Sequence, residues 1–299
     1  MFKTITIAAD DNYVVGACAL ISSIGQNTSI ETQRQLRILF GFSSLSDESK
    51  KTLNGVANLY RLKLEFERFV PGSSVSRRHI SSTTFAKFHF LETMQESFLW
   101  IDTDALVLEG WEEILEMESH LDSNKPYLIV KRQDGSVDSP NAGVFGSKPG
   151  NPIRDWVSRV GVHELSLEQH IFQEEMRQKS LAVDAVFNSV AIWGRETISS
   201  AKIWHFAGPI KPWHLPEVMR ERCLESGCSW SHWFRVARAS EGDGSNVKFV
   251  KSKGIGLKYR FLFGAPRFLA VLFSDSLTNK ILRKFFSSKG WNYETHPFH

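Results

Sequence analysis

An α/β fold with a mostly parallel sheet is predicted by three observations. Short apolar, β-branched runs alternate with helical periods from Lys3 to Phe206. Two runs end directly on Asp, at Asp10 and Asp102, at the strand ends where an open α/β sheet gathers its ligands. Hydrophobic residues make up 42% of the 299 residues and charged residues 23%, so a sizeable core is available. That length fits one large domain, or one domain with an appendage.

In chain order, Lys3 to Ala9 reads as a buried first strand and Asp10 to Asn12 as the turn that follows. Tyr13 to Gln26 is a largely apolar helix. Leu36 to Phe42 is a second strand. Ser46 to Leu59 is a helix whose early Asp47 and Glu48 suit the helix dipole. Leu62 to Phe66 is a third strand. Ser81 to Met94 is helical, with Phe85, Phe88, Leu91 and Met94 at intervals of three. Ser97 to Ile101 is a strand running into Asp102. Trp111 to Met117 is a helix, Pro126 to Val130 and Asn141 to Ser147 are strands, Ser166 to Gln178 is a helix, and Ile203 to Phe206 is a last short strand. No internal repeat is visible.

Net charge is +3, but it is unevenly spread. Residues 246–290 hold ten Lys and Arg against Asp275 alone, a net +9, which leaves −6 for the rest. Beyond a linker at Gly242–Ser245, Phe268, Leu272, Phe273, Leu277, Ile281 and Phe285 recur at about one helical turn. Such a basic, apolar-striped segment suits an interfacial helix on an anionic leaflet, or a helix packed on the main domain. Nucleic acid is not expected as a partner. The three cysteines, Cys18, Cys223 and Cys228, are odd in number and lack metal-type spacing, so reduced thiols and a cytoplasmic setting are expected. No signal peptide is apparent, and the run Phe261 to Phe273 is too short to span a bilayer.

The residues able to do chemistry form an ordered set. Asp10 and Asn12 follow the first strand, where turn chemistry alone would also favour them. Asp102 and Asp104 are two apart, so an extended backbone points both carboxylates one way; Phe98 to Ile101 bury the approach, and a divalent cation would offset that burial. His205, Gly208 and Lys211 combine an imidazole, a close-approach glycine and a point charge for phosphate, or else form an ordinary strand exit. His79 and Lys87 flank or lie on one helix, Asn141 opens a strand, and Glu168 and Gln169 open another helix; each also has an ordinary structural reading.

Together, Ala8-Ala9-Asp10-Asp11-Asn12-Tyr13, Arg78 to Lys87, Asp102-Thr103-Asp104, Asn141 to Val144 and His205 to His214 resemble glycosyltransferase family 8, especially its bacterial retaining galactosyl- and glucosyltransferases of lipooligosaccharide synthesis. The resemblance covers roughly residues 3–214 and implies a GT-A type nucleotide-sugar-binding fold, a UDP-sugar donor and Mn²⁺ or Mg²⁺. It implies that Ala8, Asp10 and Asn12 hold the uridine, that Asp102, Asp104 and His205 ligate the metal, and that His79, Gly208 and Lys211 contact the diphosphate. Lys87, Asp102, Asn141, Glu168 and Gln169 would surround the donor sugar, with Gln169, Glu168 and Asp102 as the catalytic group. The chain departs from the family at Glu168-Gln169-His170, where Asp-Gln-Asp is usual, at Ser139-Pro140, where an aromatic pair is common, and at Lys87, where arginine is usual.

The expected organisation is a catalytic domain over 1–214, a connecting and acceptor-side segment over 215–245, and a basic amphipathic extension over 246–299. The expected activity is Mn²⁺-dependent transfer of galactose or glucose from a UDP-sugar to a glycan or lipid-linked glycan acceptor. It would take place at the inner face of the cytoplasmic membrane, in cell-surface polysaccharide or lipopolysaccharide synthesis. The alternatives are a non-catalytic UDP-sugar-binding protein and a nucleotidyltransferase on a related fold. Trp230, His232 and Trp233 would stack on sugar rings or fill a core.

Overall fold

A computed structural model describes residues 1–70, 82–133, 135–136, 140–153, 156, 168–191, 199–207, 211–214, 224 and 229–241. His79, Gly208, Ser139, Cys223, Cys228, the Gly242–Ser245 linker and the extension over 246–299 lie outside them. For Glu168, Gln169 and His170 the backbone alone is described.

The main sheet has seven strands: β1 (Thr4–Ala8), β2 (Arg37–Phe42), β3 (Lys63–Arg68), β4 (Phe98–Ile101), β6 (Tyr127–Val130), β7 (Val144–Ser147) and β8 (Ser180–Val183). Their spatial order is β3-β2-β1-β4-β7-β6-β8. The first four run parallel. β7 is antiparallel to both β4 and β6, and β8 is parallel to β6. The mixed, mostly parallel α/β architecture expected from the sequence is therefore present.

Strand side chains alternate between faces, and here the alternation sorts them into two cores. Ile5, Ile7, Ile38, Phe40, Leu99, Ile101, Leu128, Val130 and Val144 share one core. Helices α1 (Val14–Asn27) and α3 (Asp47–Leu59) cover that face. Leu39, Phe98, Trp100, Tyr127, Ile129 and Phe145 pack into the other. That second face lies under α4 (Ala86–Thr93) and α6 (Glu168–Met176), which deliver Phe88, Phe90 and Phe172. The stack of Phe88 on Trp156, with centroids 4.7 Å apart, extends this aromatic layer.

Local signals set the helix starts. Ser46 caps α3 by accepting from the Ser49 amide, with Asp47 and Glu48 in the first turn. Ser29 caps a short helix α2 (Ile30–Gln35) in the same way. The predicted helix over Ser81 to Met94 divides into a 3-10 turn, Ser82–Phe85, and then α4. Lys87 accordingly stands in the first turn of α4. The predicted helix from Trp111 becomes a short α5 (Glu113–Glu116) followed by a 3-10 turn, Met117–His120.

A second, three-stranded sheet has the order β5-β10-β9, with β5 (Ala105–Val107), β9 (Ser189–Val190) and β10 (Ile203–His205). β10 is antiparallel to β5 and parallel to β9. Helix α7 (Ser229–Glu241) packs with α1 beside it, in a third cluster built from Ala19, Leu106, Phe206, Trp213, Trp230, Trp233 and Phe234. Trp230 and Trp233 thus fill a core. No described helix is long and apolar enough to cross a membrane.

Candidate functional site

The site forms where neighbouring parallel strands β1 and β4 end, and the small sheet closes it from the side. β4 reaches Ile101 and the chain then turns, with the Ala105 amide donating to the Asp102 carbonyl at 3.0 Å. Asp102-Thr103-Asp104 is therefore a turn, not the extended segment that would by itself point both carboxylates one way. The carboxylates still converge, because the turn is pinned on three sides. The Asp102 amide donates to the Gly143 carbonyl at 2.8 Å, continuing the β4–β7 ladder. The Thr103 hydroxyl donates to the Ala8 carbonyl at 3.3 Å, tying the turn to β1. The Phe206 amide donates to the Asp104 carbonyl at 2.8 Å, extending the β5–β10 pairing.

That last bond brings His205 to the aspartates. His205 Nε2 lies 3.2 Å from Asp104 Oδ1 and 3.7 Å from Asp102 Oδ2. One ligand atom from each of the three residues falls within 4.8 Å of the others. Two carboxylate oxygens and an imidazole nitrogen at this spacing fit a divalent cation that prefers oxygen ligands.

Two lysines bracket the cluster. The buried Lys211 ammonium ion-pairs with Asp104 Oδ2 and donates to the Phe206 carbonyl at 3.0 Å. Burial opposes ionisation of Asp104, but Lys211 and His205 outweigh it and hold the carboxyl far below the carboxylate range. Burial also works against the Lys211 charge, and Asp104 overcomes it, raising the lysine above its ordinary value. On the other flank, Lys87 Nζ lies 3.0 Å from Asp102 Oδ1 and 5.5 Å from the centre of the Trp100 ring. Trp100 Nε1–H donates to the same Oδ1 at 2.7 Å.

A hydrogen-bonded chain supports His205 from behind. Its Nδ1 is 3.0 Å from Asn188 Oδ1. Asn188 Nδ2 donates to the Asn141 carbonyl at 3.2 Å and to Asn141 Oδ1 at 3.3 Å. Asn141 Oδ1 also accepts from the Gly143 amide at 2.7 Å. Gly143 has to be glycine, because a Cβ there would land on the His205 ring.

At the β1 end, Asp10 Oδ1 accepts from the Asn12 amide at 2.9 Å, so the turn chemistry read from the sequence is present. Asp11 ties this turn to the start of α3, accepting from the Ser46 amide and hydroxyl and from the Ser49 hydroxyl. Partial burial opposes ionisation of Asp11; those bonds outweigh it and lower its pKa. Burial chiefly keeps the Tyr13 hydroxyl protonated; Lys211 opposes this, while Asp104, Asp10 and Asp102 add to it.

Of the residues singled out in the sequence, Asp102, Asp104, His205, Lys211, Lys87 and Asn141 meet in this cluster. Ala8 and the Asp10–Asn12 turn stand at the adjoining strand end. Glu168 and Gln169 open α6. Sequence reasoning missed Trp100 and Asn188. The first had a signal, since it is two residues before Asp102 on a strand. Asn188 had none, because nothing in its local sequence separates it from an ordinary turn asparagine.

The model of Glycosyl transferase family 8 matches residues 4–139. No curated protein sequence matches the chain. Among solved structures, the galactosyltransferase LgtC in complex with donor and acceptor sugar analogues superposes with a TM-score of 0.61 at 18% identity, covering 86% of this chain and 99% of that one. An active-site mutant of LgtC gives 0.60 at 19%, covering 79% and 95%. The apo form of the Streptococcus pneumoniae TIGR4 glycosyltransferase GlyE gives 0.55 at 14%, covering 79% of this chain and 60% of that one. The fold is that of the GT-A glycosyltransferases.

Proposed function

We propose, from the premise that residues 4–139 carry the family 8 glycosyltransferase pattern on a GT-A fold, that this protein is a retaining hexosyltransferase. It moves galactose or glucose from a UDP-sugar to a glycan or lipid-linked glycan acceptor. The observation that carries the reading is the convergence of Asp102, Asp104 and His205 beside the ends of β1 and β4. The family match supports it, as does the likeness to LgtC, a galactosyltransferase solved with donor and acceptor sugar analogues.

In this reading Asp102, Asp104 and His205 hold Mn²⁺ or Mg²⁺. The cation, when bound, supplies positive charge for the diphosphate leaving group. Lys211, already inside the cluster, offers an ammonium to the same phosphates, together with His79 and Gly208. Ala8, Asp10 and Asn12 hold the uridine at the end of β1. Lys87 steadies Asp102 through its 3.0 Å ion pair and faces the donor sugar with Asn141. Gln169 stabilises charge at the anomeric carbon while the acceptor hydroxyl attacks on the face the diphosphate leaves, since an amide is a poor nucleophile. Glu168 stands beside it. The basic residues over 246–290 bring the enzyme to an anionic membrane surface that carries its acceptor.

The test is UDP release from a panel of UDP-glucose, UDP-galactose and their N-acetyl forms with Mn²⁺. Asp104→Ala is expected to lower release about a hundredfold or more, and EDTA to abolish it reversibly. Release undiminished by either treatment removes the proposed metal role. UDP-sugar binding without transfer or hydrolysis favours the non-catalytic alternative. For the extension, the full chain should co-sediment with anionic vesicles and not with neutral ones; equal pelleting with both ends the membrane reading.

A further inference from the structure

Asn188 lies in a 3-10 turn, Ala185–Asn188, just before β9, and its side chain is 4% exposed. The turn itself is fixed, with the Asp184 carboxylate accepting from the Val186 amide at 3.0 Å. The Asn188 amide faces two ways. One side meets the Asn141 backbone carbonyl at 3.2 Å, a group that only accepts. The amide NH₂ must therefore point to Asn141, which leaves Oδ1 toward His205 Nδ1 at 3.0 Å. An oxygen at that position accepts, so His205 must carry its proton on Nδ1. In the neutral ring the lone pair is then on Nε2, the atom directed at Asp102 and Asp104 and free to serve a cation held between them.

We propose that Asn188 is a positioning residue that locks His205 in the Nδ1-protonated tautomer and so presents Nε2 as the nitrogen ligand of the cation site. This deepens the metal reading above and rests on it. A histidine ligand whose other nitrogen is held by a hydrogen-bond partner keeps one ring orientation, and loss of such partners lowers metal affinity about 10–100-fold. The lock here is doubly held, because Asn141 is itself fixed by the Gly143 amide at 2.7 Å. Gly143 also leaves room for the ring: any side chain there would occupy its place.

The experiment reads Mn²⁺ affinity by calorimetry, without donor or acceptor, on the full chain. Asn188→Leu is expected to weaken Mn²⁺ binding about 10–100-fold, and Asn188→Asp, which keeps an acceptor toward Nδ1, to lose less than Asn188→Leu. In a His205→Ala background, where the ligand is gone, Asn188→Leu should have no further effect. An equal loss in both backgrounds marks general disruption and overturns the inference. Long-range ¹H–¹⁵N NMR of the wild-type chain, at a pH where the ring is neutral, reads the tautomer without any variant. Nε2-protonated His205 overturns the inference whether or not Asn188→Leu folds. Wild-type protein that binds no Mn²⁺ overturns the metal reading and this inference with it. Wild-type binding matched by an unaltered Asn188→Leu affinity overturns this inference alone.

Discussion

Lys211 and Asp104 are both buried and paired, so each protects the other's charge. Such pairs are strongly destabilised when one partner alone is removed. Lys211→Met is expected to lower stability by about 3 kcal/mol, read by urea denaturation. The pH dependence follows from the two shifts. Asp104 is lowered from 3.8, so its contribution is present above that value and lost as pH falls below it. Lys211 is raised above 10.5, so its contribution is present below that value and lost as pH rises beyond it. Wild-type stability should therefore hold between these limits and fall outside them more steeply than in the Asp104→Asn, Lys211→Met double variant. Gly143→Ala should cost the site His205, lowering Mn²⁺ affinity at least as much as His205→Ala, by the same calorimetry. At this scale the sequence displayed the residues whose side chains are chemically distinctive. It hid Asn188 because the partners that give that amide meaning are 47 and 17 positions away.

The turn at Asp102–Ala105 shows why a spacing argument can reach the right residues by the wrong geometry. Two carboxylates share a side of an extended strand, yet here they converge because hydrogen bonds from three other segments fold the backbone between them. β1, β2 and α3 carry enough period to be read, and their observed ends fall within one residue of the predicted ones, whereas α2, β8 and α7 were not anticipated. β5 has three residues and β9 two, too few to carry a period, and both went unseen. The cap of α3 was legible in its acidic first turn. Ser46→Ala should destabilise the protein by about 1 kcal/mol in chemical denaturation. It also removes one of the bonds that keep Asp11 ionised, that from the Ser46 hydroxyl, so the acid-side loss of stability due to Asp11 should shrink.

Over the whole molecule, one sheet separates two cores and a third cluster seals the side where the site opens. The apolar runs of the strands were plain in the sequence, but which partner covers each face was not. The tryptophans of α7 illustrate this: in sequence they sit among Ser, His and Arg, and only the docking of α7 on α1 makes them interior. Trp233→Ala should lower stability by about 3–5 kcal/mol, measured by urea denaturation. Close approach on the same side also fixes α1, since a Cβ at Gly16 would come within 2.6 Å of Trp213 and 2.8 Å of the Thr103 carbonyl. Gly16→Ala should therefore lower UDP release at saturating Mn²⁺ as well as thermal stability, as the Asp102–Ala105 turn is pushed aside.

The small sheet has a consequence for how the protein is made. β5 and β10 are partners separated by nearly a hundred positions, and Asp104 and His205 enter the cluster from either side of that pairing. On the ribosome, the aspartates emerge long before their imidazole, so a nascent chain stalled ahead of residue 203 carries an acidic mouth with no nitrogen to complete it. Translation itself therefore sets the earliest moment at which these three side chains can meet.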